Sequence, residues 1–239
     1  MVRTGILAGA APESLYVAAG AADTDDGVAE VVGLSLAAGA RVFELAPGVV
    51  DRVASTVTPQ PVLAVFATLD VASVPEDADF VVVMADVRDP GNAGTVLRTA
   101  DASGVGAVVF CGGTVDPYNP KTVRSSAGSI FHVPVVLAED PVTLLAELGA
   151  SGRRRLGAVV RGGQDYVAVD WSSPTALVLG NEAWGLPEGL PLDGVVGIPM
   201  AGRAESLNVG MACAVLCFEA LRQRRSTVPR STMPSTMPR

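Results

Sequence analysis

From residue 80 onward, the chain alternates short, unbroken runs of apolar and mostly β-branched residues with segments of helical length. The runs are 80–86 "FVVVMAD", 107–111 "AVVFC", 131–136 "FHVPVV", 156–160 "LGAVV", 176–180 "ALVLG" and 195–199 "VVGIP". A strand with one wet face must alternate apolar with polar residues; these runs do not, so each predicts a strand buried on both faces. Helical patterns occupy 90–103, 119–127, 141–149 and 206–224. Strands joined by connections of that length pair in parallel, and a buried parallel sheet needs helices on both faces. The fold class is therefore α/β.

Residues 1–70 show the same habit on a smaller scale, in "SLYVAA" (14–19), "GVAEVVGLSLAAG" (27–39) and "ARVFEL" (40–45). The stretch "VASVPEDAD" (71–79), with Pro75 and its carboxylates, predicts a linker. A small α/β domain over 1–70 is thus expected before a larger one over 80–225. The tail 226–239 repeats Ser-Thr-Met-Pro and is expected to be disordered.

Composition narrows the class. The chain is 49% hydrophobic, yet no run reaches the roughly 18 uninterrupted apolar residues of a membrane span. Pro12 and Glu13 break the first apolar run too early for a secretion signal, which points to a cytoplasmic protein. Cys111 ends a strand pattern, and Cys213 and Cys217 share one apolar helical face. The single histidine, His132, sits within a strand pattern, so no metal site is expected and the cysteines read as small buried hydrophobes. The net charge of −8 arises entirely in residues 1–80, where Arg3, Arg41 and Arg52 face eleven acidic residues. Basic groups are only local: Lys121 with Arg124, Arg153–Arg155, and Arg222, Arg224 and Arg225. Bulk charge therefore does not point to a nucleic acid.

Three stretches carry polar residues where chemistry is expected. In "VRDPGNAGTVLRTADASG" (87–104), Asp89 suits a helix cap, Pro90 the first helical position and Gly104 the left-handed exit. Arg98 stands alone there among Val96, Leu97 and Ala100. The second stretch is "LVLGNEAWGLP" (177–187). The third is "IPMAGRAESLNVGMACAVLCFEAL" (198–221), with Ser206 read as the cap of a long helix. Each is the C-terminal end of a strand running into a loop of small residues, where parallel sheets bind ligands. Asn92, Arg98, Glu182, Ser206 and Asn208 could converge on one pocket there, although each also fits a plain surface or capping role. Neither G-x-G-x-x-G nor G-x-x-x-x-G-K-[ST] occurs, which disfavours a dinucleotide-dependent oxidoreductase.

In order and spacing, these stretches, with "DPYNPKTVRSSAGSIFHVPV" (116–135), resemble the signature motifs of the SpoU (TrmH-type) RNA 2′-O-ribose methyltransferases of the SPOUT superfamily. The resemblance covers about residues 80–225, and "STVTPQPVLAVF" (55–66) resembles the end of the small RNA-binding-type domain that precedes many members. It implies a parallel sheet whose C-terminal segment threads a loop into a trefoil knot. It also implies S-adenosylmethionine held there by the backbone at Leu179, Gly180, Ile198, Met200 and Leu207. The implied reaction is methyl transfer to a ribose 2′-hydroxyl of RNA, ribosomal RNA first and transfer RNA as the alternative. A non-catalytic RNA- or ribosome-binding member of the fold is the other class. By resemblance, Arg98 acts on the hydroxyl, pointing from its helix into the pocket, with Asn92, Glu182, Ser206 and Asn208 as the other catalytic-site residues. A guanidinium with a pKa of roughly 12.5–13.8 stays charged, so Arg98 is expected to clamp a phosphate and stabilise a developing alkoxide. A homodimer is implied as well, with the helix over 206–221 as the expected interface. The small domain departs from the family pattern: it is acidic and is expected to be shortened at its start, which shifts the grip on RNA to residues 80–225.

Overall fold

A computed structural model describes residues 1–53 and 58–227. Near the N-terminus, Leu15 and Val17 lie two apart on one face of a strand and are buried with Val28 and Val31, one helical turn apart. The elements there are α1 (Val2–Leu7), β1 (Pro12–Ala18), α2 (Ala21–Thr24), α3 (Asp26–Ala37), β2 (Arg41–Leu45), α4 (Val49–Val53) and β3 (Val62–Phe66). They form a three-stranded sheet of order β2-β1-β3, with β2 parallel and β3 antiparallel to β1. Asp25 starts α3 by accepting from the N–H groups of Gly27 and Val28. This unit spans Met1–Leu69 and takes in Ala127–His132, where the Phe131 ring lies 5.2 Å from that of Phe66.

The second unit comprises Asp70–Ser126 and the chain from Val133 on. Its elements are β4 (Asp70–Val71), β5 (Phe80–Met84), α5 (Pro90–Ser103), β6 (Ala107–Cys111), α6 (Pro120–Ser125), β7 (Val135–Ala138), α7 (Pro141–Ala150), β8 (Arg154–Val159), β9 (Gln164–Asp165), β10 (Thr175–Leu179), β11 (Gly194–Gly197) and α8 (Val209–Thr227). The eight strands lie in the order β4-β7-β6-β5-β10-β8-β11-β9, and every pairing is parallel. One face of the central strands, with Val81, Val83, Val109 and Val178, packs on Leu144, Leu145 and Leu148 of α7. The opposite-facing Val82, Met84, Val108, Leu177 and Leu179 are buried as completely, and α5 packs on both α6 and α8. Burial on both faces is what the unbroken apolar runs demand.

Several elements differ from the sequence expectation. The run 131–136 is divided: Ser129–Phe131 is a 3-10 turn, Pro134 follows, and β7 starts only at Val135. His132 therefore ends that turn and is not a strand residue. Asp70 and Val71 pair with β7, so the stretch expected as a linker begins inside the larger sheet. Helix α8 begins at Val209, because Asn208 Oδ1 accepts from the N–H groups of Gly210 (2.9 Å) and Met211 (3.3 Å). Asn208, not Ser206, is its cap. At its other end α8 runs through Thr227, and the rest of the expected tail, 228–239, lies outside the described residues. Helix α5 begins and ends as its sequence predicts, with Asp89 accepting from Asn92 N–H at 2.9 Å and Gly104 at φ +71°.

The local basic groups largely hold the fold. Buried Arg153 donates to the carbonyls of Pro75, Glu76 and Ala78, and Arg155 grips Asp193 through two parallel bonds. Arg222 pairs with Glu219. Arg224 donates to the carbonyls of Trp171 and Ser173, with its guanidinium 5.1 Å from the centre of the Phe80 ring. All three cysteines are buried; burial, and then Asp140, pushes the Cys111 thiol up to about 12. No helix among the described residues is long and apolar enough to cross a membrane.

Candidate active site

The loops that leave β5, β10 and β11 are tied together by a one-way relay of hydrogen bonds. Asn208 Oδ1 is committed to the first N–H groups of α8, so its amide nitrogen must donate. It donates to Asn92 Oδ1 at 2.7 Å, which leaves Asn92 Nδ2 to donate onward to Glu182 Oε1 at 2.9 Å. The N–H groups of Arg88 and Asp89 end on the same carboxylate, at 3.3 and 3.2 Å. A relay of donors running one way needs a terminal acceptor without a proton, which explains an acid at position 182. Burial pushes the Glu182 carboxyl up, but the Asn92 amide and the two backbone N–H groups outweigh it and hold the pKa below its ordinary value. At neutral pH Glu182 is an ionised anchor and has no proton to give.

A second knot of bonds closes the loop after β10. Asn181 and Gly185 exchange backbone hydrogen bonds of 2.8 and 3.0 Å, and Asn181 Oδ1 accepts from Ala183 and Trp184 N–H. Asn181 Nδ2 reaches across to the carbonyl of Asp86 at 3.0 Å. The returning backbone lies so close that a Cβ on Gly180 would stand 2.3 Å from the Gly185 carbonyl oxygen. Glycine at 180 is therefore required by this turn, and a bulky side chain there would break the turn before it could plug the pocket.

The end of β8 and the loops after β10 and β11 line a cavity of about 590 Å³, within the roughly 300–1,000 Å³ of small-molecule sites. Leu179, Gly180, Ile198, Met200 and Leu207 all line it, together with Glu182, Ser206 and Asn208. Asn92 stands behind the wall as the middle of the relay. Arg98 is exposed and forms no part of the wall. It lies six residues beyond Asn92 on α5; at about 100° per residue it is displaced by about 240° around the helix, so it does not share the Asn92 face. Ser206 is exposed at the wall with no hydrogen-bond partner among the described residues. Three residues that the sequence reading left out matter here. Asn181 is buried and shapes the loop, and Arg161 and Trp184 line the cavity while exposed. The signal for Asn181 was present, since an Asx residue directly after a buried strand commonly organises a turn. Among the described residues no three His, Cys, Asp or Glu side chains gather as metal ligands.

The sequence profile of the SpoU rRNA Methylase family matches residues 79–218. A Bacillus subtilis protein named 23S rRNA (guanosine(2553)-2′-O)-methyltransferase RlmP is 39% identical over 189 residues, 77% of this chain and 73% of that protein. The Streptomyces viridochromogenes 23S rRNA (uridine(2479)-2′-O)-methyltransferase is 38% identical over 66% of this chain; the chain spans only 58% of that relative's length. In three dimensions the chain is similar to the SpoU methyltransferase AviRb of Streptomyces viridochromogenes in complex with the cofactor AdoMet. The TM-score is 0.84 at 30% identity, covering 94% of this chain and 88% of that one. The match spans more than half the sequence and includes every loop around the cavity, and on that ground the chain belongs to the SpoU rRNA methylase family.

Proposed function

We propose that the protein is an S-adenosylmethionine-dependent methyltransferase that modifies a ribose 2′-hydroxyl of ribosomal RNA. The observation that carries this reading is one cavity lined by the ends of β8, β10 and β11, with its Glu182 and Asn208 walls tied together through Asn92. The cavity suits that cofactor. Its walls at Leu179, Ile198, Met200 and Leu207 are apolar, and Gly180 lines it with them. These five residues would hold it. When bound, S-adenosylmethionine supplies an electrophilic methyl group.

The chain's own residues do the rest. The relay fixes the loops before substrate arrives, so little reorganisation is needed during reaction. Arg98 is exposed and has no ion pair or hydrogen bond among the described residues. From outside the cavity it clamps an RNA phosphate and stabilises negative charge growing on the 2′-oxygen. The Ser206 hydroxyl orients the ribose at the wall. The C-terminal segment threads the loop after β10 to form a trefoil knot; the return of α8 to α5, after β11 has paired beyond β8, supports this. The enzyme acts as a cytoplasmic homodimer with α8 at the interface, and the acidic N-terminal unit serves as a substrate-binding module.

Titration calorimetry with S-adenosylmethionine tests the cofactor site. Wild type should bind, and Ala212→Trp, which fills the cavity from α8, should fold but not bind. Tritiated-methyl transfer to ribosomal and transfer RNA then tests the reaction. Arg98→Ala should keep cofactor affinity and lose about 10²–10³ in transfer rate. A folded wild type that binds no cofactor would overturn the proposal, and methylation of transfer RNA alone would overturn the choice of substrate.

A further inference from the structure

Trp184 is the most exposed large apolar side chain of the described residues, at 78%, and it lines the cavity proposed to hold the cofactor. Leaving an indole in water is unfavourable. Its placement is nevertheless built with care. The turn that bears it is closed by the paired backbones of Asn181 and Gly185, its own N–H is held by Asn181 Oδ1, and Asn181 is tied to Asp86. Its neighbours Glu182, Ala183 and Gly185 are exposed and small or charged, so nothing in the loop covers the ring. A rigidly presented aromatic face beside a site for a nucleic-acid reaction has one obvious use. Every nucleobase has a π-face, and aromatic stacking is how proteins hold unpaired bases. Arg161 lines the same cavity, is exposed, and has no ion pair or hydrogen bond among the described residues. It supplies the cation that the adjoining phosphate requires.

Resting on the methyltransferase reading above, we infer that Trp184 stacks on an unpaired base of the RNA at the reacting nucleotide, with Arg161 on a neighbouring phosphate. The residue thereby selects for a target held in an open loop of the RNA and rejects one buried in a duplex.

The protein carries its own reporter. Trp171 is fully buried with its indole N–H on the Tyr166 carbonyl, so the red-edge, acrylamide-quenchable emission belongs to Trp184. Titration of the full chain with a mixed-sequence single-stranded RNA 12-mer should quench that emission and shield it from acrylamide. A duplex of the same sequence should do neither. Trp184→Leu, which keeps apolar bulk without a π-face, should weaken RNA binding roughly 10- to 100-fold, and Trp184→Phe should restore most of it. Arg161→Gln should lower the slope of log affinity against log salt by about 0.7. RNA binding by wild type that leaves Trp184 emission untouched, or that Trp184→Leu does not weaken, overturns the stacking alone. A change of oligomeric state in Trp184→Leu assigns the ring to a contact between copies and likewise overturns it. If wild type binds neither RNA nor S-adenosylmethionine, the methyltransferase reading fails as well.

Discussion

Asn92→Asp is an almost isosteric change that turns one link of the relay against the next. Asp can still accept from Asn208, but its second oxygen would replace the donor that now lies 2.9 Å from Glu182 Oε1. Two carboxylates at that spacing cannot both stay ionised cheaply. Unit charges about 4 Å apart repel by about 1 kcal/mol in water and about 4 kcal/mol at an effective dielectric constant near 20. Glu182 is open to solvent on its outer side, so the penalty falls between these limits. At about 1.36 kcal/mol per pKa unit, the pair's upper apparent pKa should rise by roughly one to three units above the ordinary carboxylate value of about 4. The folded state would then bind more protons than the unfolded chain between those two values. Stability must fall as pH rises through that window and return as pH drops and the pair takes up a shared proton. Urea unfolding of wild type and variant at about pH 5 and about pH 8 measures this directly, with a loss of about 1–4 kcal/mol expected at the higher pH and little at the lower. An equal loss at both pH values would mean that position 92 does not face Glu182, and the relay would have to be abandoned.

Two further outcomes test other parts of the site and the fold. Gly180→Ala places a methyl group 2.3 Å from the Gly185 carbonyl, so the turn must open at a cost of about 1–3 kcal/mol. A lowered Tm and weaker S-adenosylmethionine binding are expected, and an unchanged Tm would refute the close approach. Arg155 holds the Asp193 carboxyl at about 2, below its ordinary 3.8, so their pairing stabilises the fold above 3.8 and is lost as pH falls towards about 2. Asp193→Asn should therefore flatten the acid limb of the stability curve in that window, by no more than about 1 kcal/mol because the pair is partly exposed. Coincident acid limbs would show that the pair contributes nothing.

The parallel sheet was legible because β5, β6 and β10 are buried on both faces, and double burial leaves an unbroken apolar run as its mark. The two-residue edge strands β4 and β9 were not, since two residues carry no periodicity. The start of α8 was misjudged because Ser206 and Asn208 are both good caps, and only the reach of the Asn208 oxygen to two N–H groups decides between them. Eight of the ten site residues line the cavity, and Asn92 joins them through hydrogen bonds. Arg98 was conspicuous as a charge in an apolar helix, yet conspicuousness gives no direction. Its angle from Asn92 around α5 follows from the spacing alone and already sets it off the side that carries the relay. The local basic groups were rightly given little weight, because charge counting cannot tell a cation facing solvent from Arg153, spent on three backbone carbonyls.

The cavity wall formed by residues 205–216 also has a consequence for how the protein is made. Translation delivers the strands from β4 to β11 first, and until residues 205–216 follow, one side of the cavity does not exist. A ligand stabilises only the state that binds it. Any help that a cavity ligand gives to folding therefore comes after synthesis of the sheet, and a nascent chain halted before α8 must survive without it, its apolar strands already exposed to the cell's chaperones and proteases.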